Sequence, residues 1–363
     1  MKNDEGTAGS TSVLVINPGS TSTDTGLFDG SGKGRVRTLD HPEDALETFE
    51  HVLDQLDWRD REITRFIEDR GFQGGELRAV VGRGGLLRPL AGGTYQVTDA
   101  MCADLEQSRY GEHASNLGAL LARRFSMRYN VPSYVVDPVT TDEFDPASRL
   151  SGVPGIERKC RSHALNIKAA ARRTATSLGK DLADTKLVAA HMGGGISICA
   201  IRNGRIVDST DALLGEGPFS TERAGTLPLG GMIALCCDRG QTRGDVARLL
   251  SRASGLKGYL GTGRLPEVYD AIDRGNAEAR LVLDAMVLQI IKWIGAMAAV
   301  LMGRPDAILL TGGMAHSERF VTEITSYIST LAPLHVFPGS LEMEAMAGGA
   351  FRVLNGQEDP LVY

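Results

Sequence analysis

Two short segments that lie 174 residues apart follow the same pattern of residue types. Residues 14–21 and residues 188–195 each run from an apolar strand into a turn of small residues, and a second strand follows. Each second strand leads to a pair that favours a hairpin turn, Asp-Gly at 29–30 and Asn-Gly at 203–204. Because the offset is close to half of the 363-residue chain, the pattern predicts a duplicated domain, and chance remains the alternative for a repeat this short.

Short β-branched runs alternate with longer amphipathic stretches along the whole chain. The runs predict strands over 13–16, 79–81, 133–136, 187–190, 196–201, 307–310 and 335–337. The amphipathic stretches predict helices over 43–56, 113–129, 162–178, 245–251, 276–302, 318–331 and 342–354. This alternation is typical of an α/β protein.

Composition and charge exclude several classes of protein. Hydrophobic residues make up 42% of the chain, too many for a disordered protein. The 39 basic and 45 acidic residues give a net charge of −6 without a basic block, which argues against a nucleic-acid surface. The five cysteines lack the spacing of a disulfide framework or a zinc site. They are Cys102, Cys160, Cys199, Cys236 and Cys237.

Two segments of the sequence bear on whether the protein is secreted or crosses a membrane. Residues 1–12 are polar and lack the layout of a signal peptide, so we expect a loose tail on a cytoplasmic protein. Residues 281–303 are long enough to span a membrane but carry Asp284, Gln289 and Lys292, which are costly in hydrocarbon. We therefore expect a packed helix there and no membrane partner.

Glycine is enriched, with 44 residues or about 12% of the chain against about 7% in average proteins. One group lies in the turn at 17–23, which follows an apolar strand. Small residues let backbone N–H groups approach an oxyanion, and hydroxyl groups donate to phosphate oxygens. The predicted phosphate-binding residues of this turn are Asn17, Gly19, Ser20, Thr21 and Ser22. The alternative is an ordinary hairpin turn rich in Ser and Thr.

Two further glycine turns follow strands in the second half. The first of them contains His191, Gly193, Gly194 and Gly195, a second candidate phosphate site, although a lone histidine is more often a core residue. The other contains Gly312, Gly313 and Met314 before a helix, which suits a nucleotide, although such corners are common. Neither a Walker A motif nor GxGxxG is present, which disfavours P-loop and dinucleotide-binding folds.

Together the three turns resemble the phosphate and adenosine segments of the sugar kinase, Hsp70 and actin superfamily. Residues 13–22 and 216–226 are similar to the two signatures of the acetate kinase family. Four further segments are similar to the butyrate kinase branch of that family, namely residues 81–87, 136–139, 158–166 and 342–345.

The resemblance implies two duplicated ribonuclease H-like domains of the actin, Hsp70 and sugar kinase type, with an ATP cleft between them. The expected N-terminal domain covers 13–180, and the C-terminal helix 342–363 returns to it. The expected nucleotide-binding domain covers 181–341.

The resemblance further implies phosphorylation of a short-chain fatty acid by ATP with Mg²⁺, with butyrate as the expected acceptor, and a homodimer. Such an acid has a pKa near that of Glu, about 4, so no general base is needed at neutral pH. Two anions must instead be held together by cations and positioned donors. Open alternatives are acetate, propionate or branched acids as substrates, and an ATPase switch of the same superfamily.

The family motifs assign catalytic roles to three residues. Arg223 is expected to stabilise charge in the transition state, and its alternative is a salt bridge with Glu222 or Glu216. Arg83 is expected to contact the carboxylate or the phosphoryl group, and Arg88 is its rival. Asp137 is expected to orient a Mg²⁺-bound water or an arginine, unless it is only a turn residue before a proline.

The remaining expectations concern the metal and the acyl pocket. Glu342 is expected to hold Mg²⁺ through water, with Glu344 as an alternative, and Asn17 is a second metal candidate. Gly82 would widen the acyl pocket by lacking a side chain. The predicted pocket residues are Gly82, Gly84 and Gly85. Roles are left open for Arg158, His163 and Asn166.

Overall fold

A computed structural model describes residues 12–69, 77–237 and 240–363 of the chain. The strands are β1 Ser12–Pro18, β2 Ser22–Asp29, β3 Gly34–Asp40, β4 Leu77–Gly82, β5 Thr94–Gln96, β6 Ser133–Val136, β7 Lys186–Met192, β8 Ile196–Arg202, β9 Arg205–Ser209, β10 Ala307–Gly312 and β11 Leu334–Pro338. The helices are α1 Glu43–Leu46, α2 Leu56–Asp69, α3 Asp99–Glu106, α4 Asn116–Tyr129, α5 Pro146–Arg149, α6 Ala164–Ser177, α7 Leu229–Cys237, α8 Arg243–Arg252, α9 Gly255–Leu260, α10 Leu265–Asp273, α11 Ala277–Val300, α12 Glu318–Ile328 and α13 Glu342–Leu354. The expected tail over 1–12 lies outside the described residues except for Ser12, which begins β1.

The chain divides into two units. Unit 1 runs to Thr141 and includes Leu341–Tyr363, and unit 2 is Asp142–Ser340. The expected boundary after residue 180 differs from this division. The reason is that α6 packs against β7 and β10 of unit 2.

A buried ion pair holds the segment before α6 in unit 2 as well. Lys168 Nζ lies 2.8 Å from Glu143 Oε1, and both side chains are about 95% buried. The second carboxylate oxygen of Glu143 accepts a hydrogen bond from Ile206 N of β9 at 2.9 Å. Residues from 142 onward therefore belong with the second sheet.

The sheet of unit 1 has the strand order β3-β2-β1-β4-β6-β5. The strands β1, β2 and β3 form an antiparallel meander, whereas β4 and β6 run parallel to β1. On this sheet α13 packs against β1, β4 and β6, and α4 packs against the same three strands. The carboxyl ends of β1, β4 and β6 therefore lie at one edge, where open α/β sheets bind ligands.

The sheet of unit 2 has the order β11-β10-β7-β8-β9. Here β7, β8 and β9 form the antiparallel meander, and β10 and β11 run parallel to β7. This order repeats five strands of unit 1, so the fold is the duplicated α/β fold that the sequence repeat predicts. The turn between Pro18 and Thr23 is one residue longer than the turn between Met192 and Ile196, which shifts the repeat by one residue from there on.

All seven predicted strands are confirmed, and so are six of the seven predicted helices, within a few residues at each end. The predicted helix over 43–56 is wrong. That segment contains α1, a 3-10 turn over Val52–Gln55 and only the first residue of α2. Thr48 Oγ1 donates to Ala45 O at 2.7 Å, a local bond of the kind that competes with helix continuation.

Helix α11 is the one helix of the described chain that is long and apolar enough to cross a membrane. Its buried side chains, Leu283, Met286, Ile290 and Ile294 among them, belong to the hydrophobic core of unit 2. The helix packs against β7 and β8. It is therefore a core helix, as the charges at 284 and 292 predict.

The expectation that Gly82 opens an acyl pocket is corrected by the packing of α4. A Cβ atom on Gly82 would overlap the backbone carbonyl of Gly118 in α4. A Cβ on Gly118 would in turn overlap the backbone of Arg83. The missing side chains therefore let helix and strand approach each other and leave no extra space for a substrate.

The other two glycines of the expected pocket face packed atoms as well. A Cβ on Gly84 would lie against Pro138 and Val135, and a Cβ on Gly85 would lie against Asn116. All three glycines of the expected pocket are buried and serve close packing.

We expect Gly82→Ala to destabilise the protein by about 1–3 kcal/mol or more, because the new methyl group would displace the backbone of α4. Urea unfolding followed by circular dichroism measures this change. Gly30→Ala is the matched control, since a Cβ on Gly30 meets no atom within 4 Å. Equal stability of the two variants would contradict the packing role of Gly82.

Candidate functional site

Three of the predicted site residues in unit 1 lie at the carboxyl ends of neighbouring parallel strands. Asn17 is the penultimate residue of β1, Arg83 follows β4 directly, and Asp137 follows β6 directly. Arg83 N donates to Ile16 O at 2.9 Å, which fixes the end of β4 beside that of β1. The sheet therefore brings together polar side chains that are far apart in sequence.

Glu342, the first residue of α13, connects two of these strand ends. Its Oε1 lies 2.7 Å from Arg83 Nη1, and its Oε2 accepts a hydrogen bond from Asn17 Nδ2 at 3.3 Å. The side chains of Arg83 and Glu342 are only 12% and 21% exposed. Partial burial strengthens the attraction between the two charges, so Glu342 holds Arg83 at the ligand edge of the sheet.

The two alternative residues lie elsewhere. The Arg88 guanidinium stacks on the ring of Tyr363 at 4.7 Å, and Glu344 is exposed. By contrast, Arg83 is paired with Glu342, and Glu342 is bonded to Asn17. The contacts thus favour Arg83 over Arg88 and Glu342 over Glu344.

Asp137 occupies a conformation that is unusual for a residue other than glycine. Its φ is +38°, and the residue is 3% exposed. Its Oδ1 accepts a hydrogen bond from Gly93 N at 2.8 Å, while its own N–H donates to Gly93 O at 2.9 Å. Backbone strain of this kind concentrates at functional sites, and here two bonds to one residue hold it.

Sequence reasoning missed His113, which lies close enough to Arg83 to feel its charge. Desolvation and the positive charge of Arg83 lower the pKa of His113, so the imidazole is neutral at pH 7. Its Nδ1 accepts a hydrogen bond from Ser115 N at 3.2 Å, just before α4. The residue as a whole is exposed, and nothing in the sequence around residue 113 marks it as a neighbour of Arg83.

In unit 2 the first glycine turn is flanked by two stacked histidines. The rings of His191 and His163 lie 3.9 Å apart and nearly parallel. His163 Nδ1 is 2.9 Å from Ser197 Oγ on the neighbouring strand. Gly194 is exposed, and a Cβ there would meet nothing within 4 Å, so the tip of the turn is open to a ligand.

Arg223 lies against the same turn. Its backbone N donates to Ser220 Oγ at 3.1 Å, and Ser220 Oγ donates to Gly194 O at 2.6 Å. A Cβ on Gly195 would overlap the Arg223 guanidinium, which also donates to Ala212 O. Gly195 is therefore needed for the side chain of Arg223 to lie here.

Arg223 forms no salt bridge in the described part of the chain, although the negative charges of Glu222 and Asp211 lie near enough to act on it. Burial lowers the pKa of Arg223, although the group remains cationic at neutral pH. Of the two carboxylates considered as partners, Glu216 pairs with Arg158 instead. A half-buried guanidinium that forms no salt bridge is suited to bind an anion.

The third turn is built differently from what the sequence suggests. Gly312 has a φ of +93° and pairs with Gly339 through two backbone hydrogen bonds of 3.0 and 3.1 Å. Gly313 is exposed, but the Met314 side chain is 6% exposed and packs in the core of unit 2. A contact to adenosine would thus fall to the backbone of the turn and not to the Met314 side chain.

The residues whose roles the sequence left open have structural contacts. Arg158 forms ion pairs with Asp208, at 2.8 Å, and with Glu216. Asn166, fully buried, accepts a hydrogen bond from Thr311 Oγ1 at 3.0 Å through its Oδ1. These two residues support the strands and loops around the turns.

Known proteins resemble this chain over nearly its whole length. The model of the acetokinase family matches residues 154–337. A probable butyrate kinase of Clostridium botulinum (strain Alaska E43 / Type E3) is 43% identical over 351 residues, which cover 97% of this chain and 99% of the relative.

Two solved structures share the fold. A Porphyromonas gingivalis acetate kinase superposes with a TM-score of 0.77 at 21% identity, with 95% of this chain and 100% of that chain covered. A Francisella tularensis propionate kinase gives a TM-score of 0.69 at 16% identity, with 93% and 98% covered. From the family match and the full-length relative, this chain belongs to the acetokinase family.

Proposed function

We propose that this chain transfers the γ-phosphoryl group of ATP to the carboxylate of a short-chain fatty acid, with butyrate as the preferred acceptor. The relative named probable butyrate kinase, at 43% identity over its full length, supports this acceptor. The observation that carries the proposal is Arg223, a half-buried cation that forms no salt bridge in the described chain and whose guanidinium lies against Gly195 of a glycine turn. The enzyme would bring two anions together for reaction. We propose that it acts in the cytoplasm.

The chemistry requires charge stabilisation and little else from the protein. A fatty carboxylate is ionised at neutral pH and needs no base to attack phosphorus. One carboxylate oxygen forms a bond to the γ-phosphorus while the bond from that phosphorus to the bridging β–γ oxygen breaks, and ADP leaves with the electron pair. We assign Arg223 to the charge on the transferring group and Arg83 to the carboxylate or the phosphoryl oxygens.

The glycine and hydroxyl turns would bind the nucleotide. We assign the phosphates to Asn17, the turn Gly19–Ser22, His191 and the turn Gly193–Gly195, and the adenosine to the backbone around Gly312 and Gly313. Asn17 and the turns supply N–H, amide and hydroxyl donors without added charge.

The carboxylate of Glu342 fits the magnesium ion that accompanies ATP, because Mg²⁺ prefers one or two carboxylates together with substrate phosphates and water. The Asn17 amide lies beside it, with Nδ2 at 3.3 Å from Glu342 Oε2, so its nitrogen rather than its oxygen faces the carboxylate. Among the described residues, no group of three His, Cys, Asp or Glu side chains forms a ready-made metal cage. We assign Glu342 to Mg²⁺ through water and Asp137 to orienting that water or an arginine; a bound ion would neutralise phosphate charge.

Purified protein with ATP and Mg²⁺ should convert butyrate to butyryl phosphate, which hydroxylamine traps as a coloured hydroxamate. Because each methylene contributes only about 0.8 kcal/mol of burial, we expect overlapping activity on propionate, isobutyrate and valerate, with the highest kcat/KM for butyrate. A maximum at acetate would change the assigned substrate. ATP hydrolysis without hydroxamate from any acid would instead favour an ATPase switch.

We expect Arg223→Ala to lower kcat by about 100- to 1,000-fold, because the arginine acts on charge that develops in the transition state. The dissociation constant of ATP, measured by calorimetry, should change little. Arg264→Ala, at an exposed side chain of the same unit, is the control and should retain normal turnover. Near-normal kcat in Arg223→Ala would remove Arg223 from the proposed role.

We further propose that the chain is a homodimer that uses an apolar face of unit 2. Leu281 and Leu288 lie seven residues apart on the outer face of α11, and Tyr259 and Tyr327 flank them. These four side chains are between 55% and 68% exposed, which is unusual for a contiguous apolar group on a monomer. A second copy of the chain would cover this face.

Light scattering after size-exclusion chromatography should give about twice the chain mass of 38.8 kDa for the wild type. The double variant Leu281→Asp with Leu288→Asp should elute as a monomer, because it places two charges in the contact. Met127→Asp, an equally exposed position in unit 1, is the control. A monomeric wild type, or a dimeric double variant, would contradict this face as the interface.

A further inference from the structure

Arg59 on helix α2 is the largest fully buried side chain of the described residues, with 0% exposure. No Asp or Glu side chain pairs with it in the described ranges of the chain. Its neighbour Asp60 pairs with Arg128 instead, at 2.8 Å. Burying a guanidinium without a carboxylate lowers the stability of the fold, so we expect a function of this charge.

All hydrogen-bond partners of Arg59 are neutral, and most belong to the first turn. Its Nε and Nη2 donate to Gln55 Oε1 at 3.1 and 2.8 Å. Its Nη1 donates to Gly19 O at 2.9 Å, to Ser22 O at 3.1 Å and to Thr23 Oγ1 at 2.9 Å. The guanidinium thus lies directly beneath the turn to which we assign phosphate.

These bonds orient the turn. The carbonyl oxygens of Gly19 and Ser22 point inward to Arg59, and that of Thr21 accepts from His41 N at 2.8 Å. Ser20 and Thr21 are exposed on the outside. These three carbonyl oxygens are bonded from within the protein. They therefore do not face the outer surface of the turn, where they would repel an anion.

The charge beneath the turn is not cancelled by the adjacent histidine. Burial lowers the pKa of Arg59 to about 10, so it remains cationic at neutral pH. Burial, and then the charge of Arg59, lower the pKa of His41 to about 4, so the imidazole is neutral. His41 Nε2 lies 2.8 Å from Thr23 Oγ1 and adds a polar contact without charge.

We propose that Arg59 is a positioning residue that presets the turn Gly19–Ser22 and supplies a buried positive charge for a nucleotide phosphate bound on its outer side. The inference rests on the proposed function, since it names the phosphate of ATP as the anion. It does not require contact between Arg59 and the ligand. A buried charge acts at short range through a low-dielectric interior, where screening by solvent is weak.

The test cancels the charge without removing the hydrogen bonds. Gln55→Glu has nearly the same shape and places a carboxylate on Arg59, which keeps that carboxylate ionised. Titration calorimetry on the full chain compares adenosine, ADP and ATP with Mg²⁺. We expect the affinity for ATP and ADP to fall about five- to tenfold while the affinity for adenosine and the KM for butyrate stay the same.

A merely structural role of Arg59 predicts the opposite. Gln55→Glu would then bind ATP as the wild type does, because it keeps every bond to the turn, and its stability to urea would be equal or higher. Gln107→Glu, the same substitution at an exposed site of unit 1, is the control for an added negative charge.

Arg59→Met provides a second variant, which removes both charge and hydrogen bonds. We expect Arg59→Met to lose more ATP affinity than Gln55→Glu. If Arg59→Met does not fold, the result with Gln55→Glu tests the inference by itself. An ATP-to-adenosine preference unchanged within twofold in Gln55→Glu would overturn the inference while leaving the kinase intact. A wild type that forms no acyl phosphate would instead overturn the proposed function, whatever Arg59 does.

Discussion

In each unit, the first strand of the antiparallel meander also pairs in parallel with a later strand, and this parallel pair organises the unit. In unit 1 this pairing is β1 with β4, and in unit 2 it is β7 with β10. Parallel strands end on the same side, so residues that follow them are collected at one edge however far apart they lie in sequence. Asn17, Arg83 and Asp137 are collected in this way in unit 1, and His191 and Gly313 in unit 2.

Cations without matching carboxylates are the second common feature. Among the described residues, neither Arg59 nor Arg223 forms a salt bridge with an acidic side chain. The Arg59 guanidinium donates to the backbone and a hydroxyl group of the turn at 19–23, and the Arg223 guanidinium donates to Ala212 O. Arg83 does have a partner in Glu342, which gives the pair no net charge but a fixed position. The chain is acidic overall, so the anion binding that we propose would depend on these few groups.

Much of the fold follows from the sequence because the central strands are nearly continuous apolar runs. Strands such as β1, β7 and β10 are buried on both faces, and their composition reflects it. The edge strand β3 is mostly exposed and polar, so it gives no such signal. The helix α2 carries many charges, one of which is fully buried, and no periodicity marks Arg59 as an interior residue.

For the candidate site, the sequence indicates segments but not the orientation of their side chains. Rows of small residues after apolar strands mark the turns at 19–22, 193–195 and 312–313 as candidates. The sequence could not show which way the residues of these segments face. The glycines at 82, 84 and 85 look like an open pocket in sequence, yet each faces packed backbone or side chains, and Met314 turns inward to the core.

The central claim is that a fatty carboxylate itself attacks the γ-phosphorus of ATP. Butyrate labelled with ¹⁸O in its carboxyl group tests it, with the product observed by ³¹P NMR. The account predicts butyryl phosphate in which one ¹⁸O bridges carbon and phosphorus, seen as an isotope shift of its phosphorus signal. Formation of ADP and unlabelled inorganic phosphate, with no labelled acyl phosphate, would contradict it.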